Sequence, residues 1–151
     1  MLDEDAYHAS RRQLNQRPCP FEKAVMRGCC GCHRVRQVLI AERQTAACTE
    51  EASWHRCRAF FDALRDKARF ALHIEDPEAP LPHAQKLRLQ CGGLLALQTE
   101  LAPGDDAAPS TVDIDRLLAQ AEVRYPKGEG LPWSSVMRGV SHYVVRARAR
   151  R

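Results

Sequence analysis

The chain has 151 residues, 44% of them hydrophobic and 28% charged, with a net charge of +4. That length is enough for one domain with a real core, and the balance of residue types excludes a low-complexity or wholly disordered chain. A mild excess of positive charge does not by itself mark a nucleic-acid binder, and no apolar run reaches the length of a membrane span. The polar, acidic start over residues 1–12 lacks the basic and apolar parts of an export signal. The expectation is a cytoplasmic protein without membrane association.

Taken in chain order, residues 1–18 read as a polar lead-in. Pro18 and Pro20 flank Cys19 and place it on a stiff, extended segment, because proline fixes φ and restricts the residue before it. Residues 21–26 predict a short helix stopped by Arg27-Gly28, and Cys29-Cys30-Gly31-Cys32 predicts a tight turn. Over 34–47, Val35, Val38, Leu39 and Glu42 recur at helical spacing and predict a helix with Cys48 at its end. Thr49 or Ser53 then caps a helix running to about His73, with Trp54, Cys57, Phe61, Leu64, Ala68, Ala71 and Leu72 as its apolar stripe.

The proline-rich stretch 75–82 is a linker. A helix over 83–99 carries Leu87, Cys91, Leu94 and Leu95 on one face and Leu89 and Leu97 towards the other, so burial on both sides is expected. Gly92-Gly93 in its middle costs about 1 kcal/mol each relative to alanine, which points to close approach of a neighbouring helix or a cofactor. Residues 102–109 form a second linker. Ser110 and Thr111 open a helix to Tyr125, with Ile114, Leu117, Leu118 and Ala121 inward and Asp113 suited to the helix dipole. After a break at 126–130, the last helix starts near Pro132 and carries Trp133, Val136, Met137, Val140 and Val144 on one side. Without strand alternation or internal repeats, the expected fold class is all-α. It is an irregular bundle of four or five helices with a loop-rich, cysteine-rich N-terminal third. The chain reads as a single domain over 1–151, with the cysteine region at 19–57 and the helical body at 58–151.

Seven cysteines carry the chemistry, and six of them lie between residues 19 and 57. An odd number cannot close completely into intramolecular disulfides, and a chain of this size does not depend on such staples. In a reducing compartment, clustered cysteines point to metal or redox chemistry. Thiolates are soft ligands suited to iron–sulfur clusters, zinc and copper(I). The candidate metal ligands are Cys19, Cys29, Cys30, Cys32, Cys48 and Cys57, four of which are needed. Cys29-x-x-Cys32 is the commoner chelating spacing and Cys30-Gly-Cys32 the other choice, since adjacent side chains diverge. Cys91, sharing a face with Leu87 and Leu94, reads as a core residue, and His33 and His55 as surface histidines.

A single Cys-x-x-Cys knuckle among long, irregular spacings fits an iron–sulfur cluster, such as a 4Fe–4S centre, better than zinc. Cys29-Cys30-Gly31-Cys32-His33 also satisfies the attachment pattern of c-type haem. That chemistry follows export, however, and it leaves Cys19, Cys48 and Cys57 without a role. No phosphate-binding glycine loop, nucleophile elbow or His-Glu-x-x-His is present, so no catalytic residue is assigned. The sequence therefore predicts a metal-binding protein with an iron–sulfur cluster for electron transfer, redox sensing or assembly of a redox enzyme, its partner being that enzyme or an assembly factor. The alternatives are a structural-zinc interaction module, whose basic tail over 146–151 engages nucleic acid or an acidic partner, and a metal-free thiol redox protein.

Overall fold

The structure, a computed structural model, describes residues 5–6, 15–76, 78–102 and 112–145. Most of the lead-in, the linker and helix start at 103–111, and the basic tail lie outside the described residues. The all-α expectation is overturned, because two small sheets accompany the helices and the fold is mixed α/β. The main cause is the segment expected to be helical over 34–47. It forms an antiparallel hairpin of β2 (Val35–Ile40) and β3 (Arg43–Cys48), in register from Val35↔Cys48 to Ile40↔Arg43. Val35, Val38, Ile40 and Thr45 are β-branched and favour a pleated surface, and the Thr45 hydroxyl donates to the Val38 carbonyl at 2.9 Å. The connection is the two residues Ala41 and Glu42, with φ of 50° and 69°. Both are left-handed, as a two-residue type I′ turn requires.

The chain before the hairpin adds to it as a short third strand. Pro18 stands opposite Ala47, the Cys19 N–H donates to the Ala46 carbonyl at 2.9 Å, and the Cys48 N–H donates to the Arg17 carbonyl at 2.8 Å. Pro18 thus occupies a position that owes the ladder no N–H, the kind of place proline tolerates in a sheet. After it, α1 (Glu22–Arg27) is ended by Gly28 in the left-handed conformation, its N–H returning to the carbonyls of Ala24 and Val25. The expected turn at 29–32 contains β1 (Cys30–Gly31), which pairs in parallel with β4 (Val112–Asp113). A parallel pair joins segments far apart in sequence, and here it brings the start of the fifth helix against the cysteine turn.

The longest helix, α2 (Glu51–Lys67), ends before the expected His73, and residues 68–73 continue as turns. Neither Thr49 nor Ser53 caps it: Thr49 bonds to the Arg34 carbonyl, and Ser53 is buried. Next, α3 (His83–Leu87) passes through one π segment (Arg88–Gly92) into α4 (Gly93–Leu101). Its residues Leu87, Leu89, Cys91, Leu94 and Leu97 are all almost wholly buried, as expected for a helix covered on both sides. Asp113 caps α5 (Ile114–Arg124) by accepting from the Arg116 N–H. A 3-10 turn (Pro126–Gly128) leads to α6 (Trp133–His142).

The two glycines in the middle of the third expected helix have different neighbours. A Cβ at Gly92 would stand 2.8 Å from the Gly139 carbonyl oxygen and 2.9 Å from Val140 Cα, so the π segment and α6 cross backbone to backbone there. Gly93 faces Leu64 of α2. Around this crossing Phe21, Leu64, Leu89, Leu94, Leu97, Val136 and Val140 make the centre of the core. Each such side chain contributes about 1.5–3 kcal/mol of burial. No helix among the described residues is long and apolar enough to cross a membrane.

Candidate metal centre

Four of the six N-terminal cysteines meet. Cys19 follows the proline-bounded third strand, Cys32 precedes β2, Cys48 ends β3 and Cys57 lies in the second turn of α2. All four keep free thiols and line one small cavity of about 10 Å³, closed by Pro20, Val35, Trp54, Ile114 and Asp115. The hairpin explains much of the convergence. Cys48 is paired with Val35, and the Val35 N–H donates to the Cys32 carbonyl, so residues 16 apart in sequence reach the same end of the ladder. The Trp54 indole N–H donates to the Pro18 carbonyl at 2.8 Å and ties the strand carrying Cys19 to the helix carrying Cys57. The Arg17 side chain donates to the Cys48 carbonyl at 3.1 Å.

The electrostatics record the same closeness. Burial pushes the Cys57 thiol well up, and the charges of Cys19, Cys32 and Cys48 push it further. Burial likewise raises Cys19 to about 12, opposed by the Phe21 N–H aimed at its sulfur and reinforced by Cys32 and Cys48. Cys32 is raised by burial, while the N–H groups of Arg34 and Asp115 favour its thiolate. Cys19 and Cys32 therefore each receive an amide hydrogen bond from the residue two places on, a local turn that supports a negatively charged sulfur. Cys48 Sγ donates to the Glu50 carbonyl at 3.2 Å. Burial thus favours the neutral thiol at Cys19, Cys32 and Cys57; a bound cation would reverse that preference. Among the described residues no three His, Cys, Asp or Glu side chains already stand as a finished ligand set, so binding an ion requires the sulfurs to close on the cavity.

The other three cysteines gather elsewhere. Cys29 is disulfide-bonded to Cys91 of the π segment, and Cys30 is buried with its sulfur 3.8 Å from that of Cys29. A disulfide sulfur has no thiolate to give a metal, so Cys29 as bonded here stands outside the four-thiol set, and Cys30 is not among the residues lining its cavity. Burial raises the Cys30 thiol to about 12. His33 and His55 are both on the surface: His55 lies 3.5 Å from Glu51, and His33 Nδ1 lies 2.9 Å from Asp113.

The residue that the sequence reading missed is Asp115. It is 6% exposed at the wall of the thiol cavity. Arg56 donates to it at 2.8 Å and Arg34 at 3.4 Å, and the Ser53 hydroxyl also donates to it. Burial opposes its ionisation, but these donors outweigh burial and hold the carboxyl below its usual range. Arg56 also reaches Glu122 at 3.2 Å, so one guanidinium joins α2 to two acids of α5. Asp113 is held in the same way: burial opposes its charge, while the Arg116 and His33 donors outweigh it. Nothing in the local sequence distinguishes Asp115 from Asp113; the parallel β1–β4 pair alone brings both to this corner. No family model, curated protein or solved structure matches the chain.

Proposed function

We propose that Cys19, Cys32, Cys48 and Cys57 bind one zinc ion as tetrahedral thiolates, and that the protein is a zinc-clamped interaction module. The observation that carries this reading is four free thiols, from four separate segments, around a cavity of about 10 Å³. That volume corresponds to about one water-sized sphere. It suits a single ion, whereas a four-iron core with its sulfides needs several times more room. The iron–sulfur expectation rests on irregular spacing, and the hairpin removes that argument: it makes distant cysteines adjacent without a regular knuckle. Zinc takes four thiolates at about 2.3 Å without preference from d-electrons, and Asp115 with its two arginines forms the outer layer that orients such a site.

An ion here would fasten the hairpin to α2. β2 packs mainly on β3, and its outward residues Arg36, Gln37 and Leu39 are exposed, as are Arg43 and Gln44 opposite. A two-stranded hairpin is marginal by itself, so a metal clamp at its base makes a rigid platform of an otherwise weak element.

The test is anaerobic purification with metal analysis and a visible spectrum. One zinc per chain and a colourless protein support the reading. A brown protein with several iron atoms and inorganic sulfide returns the site to an iron–sulfur cluster, and a metal-free protein that takes up no zinc removes the reading altogether.

A further inference from the structure

A cavity of about 400 Å³ lies between α2, α5 and the turn that follows α5, and no cysteine lines it. That volume falls in the range of small-molecule sites. Ala59 and Ala63 of α2 and Ala121 of α5 leave the space, since each side chain stops at its Cβ. Phe60, Tyr125 and Trp133 add apolar ring surface to the wall. The Phe60 and Trp133 rings are stacked with their centres 5.9 Å apart, which fixes that side of the cavity. A wall of this composition suits an apolar body.

The charges around the cavity are uneven. Its one lining acid, Glu122, already accepts from Arg56 at 3.2 Å. Lys127 also lines it and has no ion-pair partner among the described residues. Two further cations stand against the ring wall: Lys67 Nζ and the Arg124 guanidinium are each 5.9 Å from a ring centre, those of Trp133 and Tyr125 respectively. Arg56 Nε is buried without a hydrogen-bond partner among the described residues, so the wall holds a donor that lacks an acceptor. Lys127 stands at φ 56°, a left-handed conformation uncommon for a lysine. Backbone held in such a region at a cost is a feature that collects at ligand sites.

We infer that this cavity binds a small apolar carboxylate, with its body between α2 and α5 and its charge towards Lys127. The surrounding cations raise the local concentration of an anion. The apolar wall selects among anions, because a strongly hydrated one such as phosphate has no apolar surface to bury there. The site stands independently of the metal reading, since none of its lining residues is a sulfur ligand. Arg56 is shared with Asp115 at the thiol cavity, so the test leaves Arg56 unchanged.

The full chain, with its metal content measured and its alanine and leucine methyl groups isotopically labelled, is titrated with 2-naphthoate and separately with the neutral 2-naphthylmethanol. Methyl spectra should show saturable shifts centred on Ala59, Ala63 and Ala121. The carboxylate should bind about tenfold more tightly than the alcohol, the size expected for a charge meeting cations near the surface. Lys127→Gly removes the ammonium and suits the left-handed backbone. It should weaken naphthoate binding about fivefold, as for the loss of one exposed charge pair, and leave the alcohol unaffected. Ala63→Phe fills the space and should remove binding of both. Added salt should weaken naphthoate alone in the unmodified protein, which keeps the test independent of whether a variant folds. No saturable naphthoate binding, shifts centred away from the three alanines, equal affinity for carboxylate and alcohol, or undiminished naphthoate binding by Lys127→Gly would each overturn the proposal.

Discussion

The seven cysteines divide into two regions whose chemistry differs because their surroundings differ. In the hairpin region, Cys19, Cys32, Cys48 and Cys57 sit at strand ends and on a helix face, with amide N–H groups and the Asp115 network beside them. In the helical region, Cys29, Cys30 and Cys91 are wedged between a short turn and a π segment, and two of their sulfurs are bonded to each other. The first arrangement keeps four free thiols around one small cavity; the second has no free set of ligands. Sulfur content alone does not decide between metal and disulfide chemistry. What decides is whether the backbone holds the sulfurs around a space or against one another.

The largest expected difference between the regions is in metal content. Cys48→Ser or Cys57→Ser loses bound zinc in metal analysis after dialysis, whereas Cys30→Ala and the Cys29→Ala/Cys91→Ala pair keep one zinc per chain. Retention of zinc by both serine variants would erase the division. Next in size is Asp115→Asn, which weakens the bonds from Arg34 and Arg56 without touching a sulfur. Competition with a chelator should show zinc affinity lowered by about 10–100-fold, the usual effect of an outer-layer change, and an unchanged affinity would detach Asp115 from the site.

The disulfide sharpens the comparison from the other side. The Cys29→Ala/Cys91→Ala pair should lose about 2–5 kcal/mol in denaturant unfolding without reductant, and much less than that difference should remain when both proteins are reduced. Smallest is Gly139→Ala, whose new methyl meets Ala96 across the α4–α6 crossing. Overpacking of this kind costs about 1–3 kcal/mol, and zinc stoichiometry should stay at one, because the crossing belongs to the helical region.

Legibility followed the same division. The helical body was readable because its apolar stripes have one solution: Leu64, Ala68 and Leu72, then Leu87, Cys91 and Leu94, then Val136 and Val140 are buried as spaced. The paired glycines correctly pointed to a close approach, which α6 supplies. The hairpin was not readable because its turn uses Ala41-Glu42 instead of the Asn-Gly type of signal, and because Val35, Val38 and Leu39 also satisfy a helical period. Reading that segment as a helix makes the fold class all-α. The sequence still leads to an expected meeting of Cys19, the 29–32 turn, Cys48 and Cys57; what it does not reveal is the means, a hairpin whose ladder puts Cys32 and Cys48 at one end. The β1–β4 pair, two residues long, is below what any pattern can reveal, and with it the placement of Asp115. Cys19, Cys32, Cys48 and Cys57 were in the candidate set, but only the fold separates them from Cys29 and Cys30.

X-ray absorption at the metal edge of the purified protein tests the central claim most directly. The account predicts a single zinc with four sulfur neighbours at about 2.3 Å and no second metal nearby. A shell dominated by nitrogen or oxygen, or iron with iron neighbours, would contradict it.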